Sequence, residues 1–303
     1  VSGTTSSYVA RAIDVTFSRP PYIPGVNRHF QGTGTNTLTV SGLRVSVQIE
    51  EKGSAVGLNT ATARIYGLTQ SVMNDLSTLG MIVPFAERNT MQIFAGNQNS
   101  QLSSVFVGDV NEAWGDYEDL PNVSFLLHAQ TGMVDMIAPV SPLSFPDVFD
   151  VADALGTLAG KMGMSFENNN VTGVVLPCSY FPGTALQQAR AIANAAGINF
   201  AIDNGVMVIF PAGGARAGTT VAIGPDTGMI GYPRFTNFGM VLRTVYNPAL
   251  RFGGLIKVTS DIKAANGTFV IGALTHTLES RMPNGKWETL VSVLIAGYPG
   301  IIT

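Results

Sequence analysis

Cysteine, histidine and charge are all scarce in this sequence. One cysteine, Cys178, among 303 residues excludes an intrachain disulfide and any multi-cysteine zinc site. His29, His128 and His276 stand far apart, without HxH or HExxH spacing. The last two fall in apolar alternating patterns, where a neighbouring side chain satisfies the ring, so no metal site is expected. Charged residues make up 12% of the chain, against roughly 25% in ordinary soluble domains. With 17 Lys and Arg against 20 Asp and Glu, and a net charge of −3, the chain lacks the basic stripe that neutralises phosphates. Mean hydropathy is positive, +0.26. Yet no run of about 18 apolar residues occurs, so no integral membrane segment is predicted. Nor does Val1–Ala10 carry the charged, apolar and small-residue segments of a secretory leader.

What the chain does have is hydrophobic pattern. At 46% hydrophobic and this length it can bury a sizeable core in two or three domains without staples. A chain so poor in charge is expected to keep much of its surface against other subunits, because obligate interfaces resemble a domain core. Leu43, Val45, Val47 and Ile49 alternate within residues 38–50, as do Ala63 and Ile65 within 62–66, which predicts half-buried strands. Thr69 caps a helix with Val72, Leu76 and Leu79 on one face and Gly80 at its end. Strands return at 91–96, 104–114 and 123–130, the last two joined by the acidic turn Gly115–Asp119. Residues 18–37, rich in Pro, Gly, Asn and Thr, read as a long loop.

At residues 139–146 the composition shifts. Ser144 with Asp147 three residues on predicts a helix start, followed by Val148, Val151, Leu155, Leu158, Ala159 and Met162 at helical spacing. Thr184 and Gln187 predict a second capping box, Gly197 its stop, and Asn204-Gly205 a hairpin. Pro211–Gly218 reads as a flexible connection. Beyond it lie strand patterns at 234–246, 255–260, 268–279 and 287–296, with Asn284-Gly285 in the final hairpin. The expected fold class is mainly β (α+β) in three parts. Residues 1–138 form a first β-domain, 139–216 a small α+β insert, and 217–303 a second β-domain.

The two β parts repeat each other. MQIFAG (91–96) aligns with LIKVTS (255–260), and SVFVGDV (104–110) with TFVIGAL (268–274), both at an offset of 164 residues. FLLHA (125–129) and SVLIA (292–296) follow, and ARIYG (63–67) matches RTVYN (243–247). Four blocks in one order predict two related barrels.

Catalytic constellations are missing. Cys178 has no nucleophile's motif around it. Gly156–Lys161 is one residue short of a phosphate loop and lies inside a helical pattern. Ser260-Asp261-Ile262-Lys263 fits SxxK without companion motifs. Glu112, Asp116, Glu118 and Asp119 cluster around one hairpin, where a solvated acidic turn accounts for them. A glycosidase needs two carboxylates roughly 5–10 Å apart across a cleft. No enzyme activity, catalytic residue, cofactor or metal is expected.

ARIYGLTQSVMNDL (63–76), MQIFAG (91–96) and VFVGDV (105–110), followed by the acidic hairpin, resemble the hub proteins of phage tail baseplates. Gly67 stands where that family usually has Asn, and Asn97 where it usually has Tyr. VYNPALRFGGLIKVTS (245–260) and residues 267–294 resemble the family's C-terminal barrel, with His276, Trp287 and Thr289 at matching positions. The resemblance implies two tail-tube-like β-barrels flanking an α/β insert. It implies a homotrimer of six quasi-equivalent barrels, with a tail tube protein above, a spike protein below and other baseplate proteins around it. DNA would pass through the axial channel without specific binding, and the lumen should be polar and acidic. The implied location is the virion, after assembly in the host cytoplasm. Phe17, Tyr22 and Phe30 are then candidate subunit-interface residues, apolar side chains with no place in their own barrel. Two other classes stay open. A tail-associated peptidoglycan hydrolase needs a carboxylate-bearing cleft. A carbohydrate- or receptor-binding β-protein needs exposed aromatics, for which Tyr22, Phe30 and Tyr180-Phe181 are the candidates.

Overall fold

The computed structural model describes residues 10–19, 29–30, 34–53, 58–78, 89–137, 140–237 and 239–294. The first part is built from strands β1 (Arg11–Ser18), β2 (Thr37–Val40), β3 (Arg44–Lys52) and β4 (Thr60–Tyr66), helix α1 (Gln70–Leu76), and strands β5 (Thr90–Asn97), β6 (Ser103–Asp116) and β7 (Ser124–Gln130). Period-two alternation decides their faces. Val45, Val47 and Ile49 of β3 and Ala61, Ala63 and Ile65 of β4 are buried, while Gln48, Thr60 and Thr62 face out. The single strand expected over 38–50 breaks at Gly42, whose φ of +70° is the left-handed turn between β2 and β3. Gly67, at φ +86°, explains why glycine can stand where the family has asparagine, since these two residues adopt that region most readily. In α1 the Thr69 hydroxyl accepts the Val72 N–H at 3.4 Å, as the cap requires. Its buried face is Met73 and Leu76, whereas Leu79 and Gly80 lie outside the described residues.

Helix α2 (Met133–Ile137) ends the first part, and the insert comprises β8 (Leu143–Phe145), β9 (Phe149–Asp150), α3 (Val151–Lys161), β10 (Ser165–Asn168), β11 (Val175–Leu176), β12 (Ser179–Phe181), α4 (Ala185–Ala196), β13 (Ile198–Asp203) and β14 (Val206–Pro211). Helix α4 follows its expected caps. Thr184 and Gln187 exchange side-chain hydrogen bonds with each other's backbone N–H, and Gly197 ends the helix at φ 63°. Helix α3 does not start at Ser144, which lies in β8. Asp150 is its cap, its Oδ1 accepting the N–H groups of Ala152 and Asp153. The segment before it is instead held extended by Phe145 stacked on Phe149 at 3.8 Å, and Pro146 disfavours a helical residue ahead of it. The two helices cover a small sheet, β10-β14-β13, around Leu155, Leu158, Leu186, Ile192, Phe200 and Met207.

The last part holds β15 (Val221–Ile223), β16 (Arg234–Phe235), β17 (Gly239–Val245), β18 (Leu255–Val258), β19 (Gly267–Ser280) and β20 (Trp287–Leu294). Its strands join those of the first part in one continuous sheet of order β16-β17-β20-β19-β3-β4-β7-β6-β5-β1-β2, with β18 on β19 and β15 on β18. Within it the order β3-β4-β7-β6-β5 recurs as β16-β17-β20-β19-β18. Every one of these neighbours is antiparallel in both copies, and the third pairing of each carries a register shift, at Val110/Glu112 and at Ile271/Ala273. The sequence blocks 104–110 and 268–274 therefore occupy the same topological place, as a duplication requires. The sheet does not close into a barrel among the described residues, since its path ends at β16 and β2.

Candidate functional site

The residues that carry conventional chemistry are satisfied where they stand. His276 is buried at 2% exposure, its Nδ1 2.8 Å from Thr289 Oγ1 and its Nε2 3.4 Å from Glu51 Oε1. Tyr246 meets both His276 and Trp287 edge-on, at 5.4 and 5.7 Å between ring centroids. Burial first, and the Glu51 carboxylate second, raise the Tyr246 hydroxyl well above its usual pKa. The three positions that match the family motif are thus one packed cluster at the joint between β3 and β19. His128 sits 3.2 Å from Thr62 Oγ1 and stacks on Trp114, so the strand histidines find their expected neighbours. Cys178 is exposed between β11 and β12. Ser260 belongs to a turn, its Oγ accepting the Ile262 N–H at 3.2 Å. Gly156–Lys161 lies within α3. Among the described residues no group of three His, Cys, Asp or Glu side chains is placed to hold a metal, and no helix is long and apolar enough to cross a membrane.

A cleft of about 340 Å³ opens where the three parts meet, lined by Glu51, Glu167, Asp203, Arg216, Tyr246 and His276 among others. Its centre is an ion cluster that the sequence reading missed. Arg216, 4% exposed, donates from Nε and Nη2 to Glu167 at 2.8 Å each and from Nη1 to Asp203. Burial opposes the guanidinium charge, but the hydrogen bonds it donates to Glu167 and Asp203 overcome this and raise the Arg216 pKa. The Glu167 carboxyl is held below its ordinary range chiefly by Arg216. The PAGGARAG connection is therefore pinned at its arginine. Arg216 N–H also donates to Gly253 O at 2.7 Å, tying the insert to the Asn247–Gly253 turn. Gly253 is required there, because its φ is +75° and a Cβ would come within 2.6 Å of Phe210. Arg216, Glu167 and Asp203 pair with one another across this cleft, which makes it a joint between parts. A lone arginine in a glycine-rich run was the available signal.

The larger surface is the outward face of the sheet, which runs without a break from β16 to β6. Outward positions include Arg243, Leu290, Thr275, Thr277, Gln48, Glu50, Lys52, Thr62, Arg64 and Glu112. Cations there sit beside carboxylates. Lys52 is 2.7 Å from Glu50, Arg64 3.3 Å from Asp116 and Arg243 3.7 Å from Glu288. The Lys52 hydrogen bond holds the Glu50 carboxyl below its ordinary pKa. The acidic hairpin after β6 is thus partly neutralised, Asp116 being taken by Arg64 and by the Glu118 N–H.

The candidate interface residues divide. Phe17 and Phe30 are 0% and 2% exposed inside the core of their own chain, so they do have a place there. The reason is the alternation Ile13, Val15, Phe17 in β1, which buries all three, and the Arg19 guanidinium lying 4.1 Å over the Phe30 ring. Tyr22 lies outside the described residues. Tyr180 and Phe181 lie in strand β12 rather than in a loop; Phe181 is buried in the insert and Tyr180 is 62% exposed.

Comparison with known proteins gives this surface a context. No curated protein matches the sequence. Among solved structures, the tail protein from Neisseria meningitidis MC58 superposes with a TM-score of 0.63 at 12% identity, covering 95% of this chain and 97% of that one. The 43 kDa tail protein of prophage MuSo2 from Shewanella oneidensis gives 0.57 at 10% identity, covering 95% and 97%. A chain of the Francisella PdpA-VgrG complex gives 0.51 at 8% identity, covering 96% of this chain and 59% of its own. At such identities the likeness is one of fold. The family model described as Baseplate hub gp41 matches residues 26–286, ending just before β20. A duplicated, charge-poor β-chain with that match belongs to the Baseplate hub gp41 family of phage tail proteins.

Proposed function

We propose that this baseplate hub protein works as a homotrimeric ring, joining a tail tube above to a spike below and surrounding the channel that DNA crosses. The observation that carries the reading is the repeated five-strand order fused edge to edge through β3 and β19. One chain then presents two quasi-equivalent units, and three chains present six, which lets three-fold parts meet a six-fold tube. In this reading each unit takes the place of one tail-tube-like barrel in the ring. Mass measurement in solution tests this. The expected species has three times the 31.9 kDa of one chain; a persistent monomer or a six-chain ring would sink the proposal.

In this reading the outward face of the shared sheet lines the channel. Phosphate binding scales with the number of free cations offered to it. Pairing Lys52, Arg64 and Arg243 with carboxylates keeps that number low and lets a polyanion slide past. The wall is then polar and charge-balanced rather than predominantly acidic. Replacing the partners together, Glu50→Gln, Asp116→Asn and Glu288→Gln, should create DNA binding that falls steeply with salt, where the parent ring binds little. Strong binding by the parent, or no change in the triple variant, would show that this face does not line the passage.

A further inference from the structure

We propose that the contact between chains is head-to-tail, joining the β16 edge of one chain to the hairpin end of β6 in a second copy. This rests on the ring reading above and deepens it. The seam inside the chain supplies the template. β3 is paired along its outer edge by β19, from Lys52 opposite Ala273 to Val45 opposite Ser280. In the second repeat β16 holds the place that β3 holds in the first, and β6 holds the place of β19. Carrying the seam forward by one repeat sets β6 of a neighbouring chain against the outer edge of β16.

Both edges fit that use. Among the described residues no strand pairs the outer edge of β16. On β19 one edge is shared by β18 near Val270 and β3 from Ala273 onward. On β6 the corresponding edge is taken by β5 as far as Asp109. Beyond that, Thr78 donates its N–H to the Ala113 carbonyl at 2.8 Å, and its hydroxyl accepts the Ala113 N–H at 2.9 Å. Among the described residues no strand pairs this edge from Trp114 into the turn, which is where the neighbour would dock. The seam also shows where that hairpin should reach. Arg281, at the tip of the β19–β20 hairpin, shares a cleft with Gly42 in the turn that enters β3. The equivalent turn, entering β16, carries Tyr232.

The exposed chemistry of the two faces is complementary. Tyr232 and Phe235 are 67% and 49% exposed beside the exposed cation Arg234. The hairpin exposes Tyr117 at 44% and Leu120 at 70%, next to Glu118 and Asp119. Aromatic centres flanked by opposite charges are what a specific contact buries. A second copy of this chain supplies both faces at once, so the contact propagates and closes by rotation.

A mixing experiment separates this contact from the ring itself. One variant carries Tyr232→Asp and Phe235→Asp, the other Tyr117→Asp and Leu120→Asp, all at exposed positions. Each alone should be monomeric by light scattering where the parent is trimeric. Mixed in equal amounts they retain one intact contact between them, and should stop at a heterodimer. Trimers from either variant, or a mixture that stays monomeric, would overturn the contact while leaving the ring standing. A parent that never trimerises would remove the ring reading first. A second measurement does not depend on the fold of those variants. In a Cys178→Ser background, Glu118→Cys with Tyr232→Cys should oxidise to disulfide-linked multimers, and either cysteine alone should not. Absence of linked multimers from the pair would count against the contact.

Discussion

Arg216→Ala should cost the chain about 3–5 kcal/mol of stability, because removing one partner strands the buried Asp203 carboxylate. Asp203, at 9% side-chain exposure, would be left without its guanidinium, and Glu167 would lose both guanidinium hydrogen bonds, keeping the one from Asn169 Nδ2. The effect should also be visible as loosening between parts, since Arg216 holds the insert through β10 and β13 and the last part through Gly253. Chemical denaturation of parent and variant measures it. A loss below about 1 kcal/mol would place the pair among weak surface bridges. The same clamp sets a pH dependence. Glu167 has a folded pKa below the ordinary glutamate value, so the unfolded chain binds more protons in the window beneath that value. Its contribution is fully present above about pH 5 and is lost as acid carries the carboxyl through its lowered folded pKa. Arg216→Ala should flatten that part of the stability profile.

Phe17→Ala should be comparably damaging, at about 3–5 kcal/mol for a large-to-small change in a packed core. Phe17 is wholly buried in β1, opposite Leu38 of β2 and Met91 of β5. Its loss should therefore appear in the unfolding of the isolated chain, before any assembly step, and Phe17→Leu should recover most of it. A variant of parent stability that failed only to assemble would return Phe17 to the interface role its sequence position suggests. The contrast with Tyr232 and Leu120 is one of environment. An exposed apolar side chain at the open edge of a sheet is available to another chain, and one at 0% exposure is not.

Periodicity and capping are properties of neighbours in sequence, and those features were legible. Val45, Val47 and Ile49 alternate because a strand turns successive side chains to opposite faces, and Thr184 with Gln187 closes its box within four residues. The repeat was legible for the same reason, since each block is a strand with its own alternation. Two further signals are local. The alternation of Ile13, Val15 and Phe17 marks β1, and Asp150 is a better cap than Ser144 because no proline follows it.

The sequence by itself determined the strand-rich composition, the helical insert, the duplication and the absence of any catalytic spacing. Only the tertiary structure decided which edges meet. The β3–β19 seam joins residues more than two hundred positions apart, and strand edges carry the same backbone donors and acceptors whatever their sequence, so no local pattern can name the partner. The Arg216 cluster is equally non-local, pairing residues 49 and 13 positions apart through a loop that composition alone marks as free. Burial, too, is set by what covers a side chain rather than by its type. Phe17 and Tyr232 look alike as loop-flanking aromatics, and the fold hides one and leaves the other at an open edge.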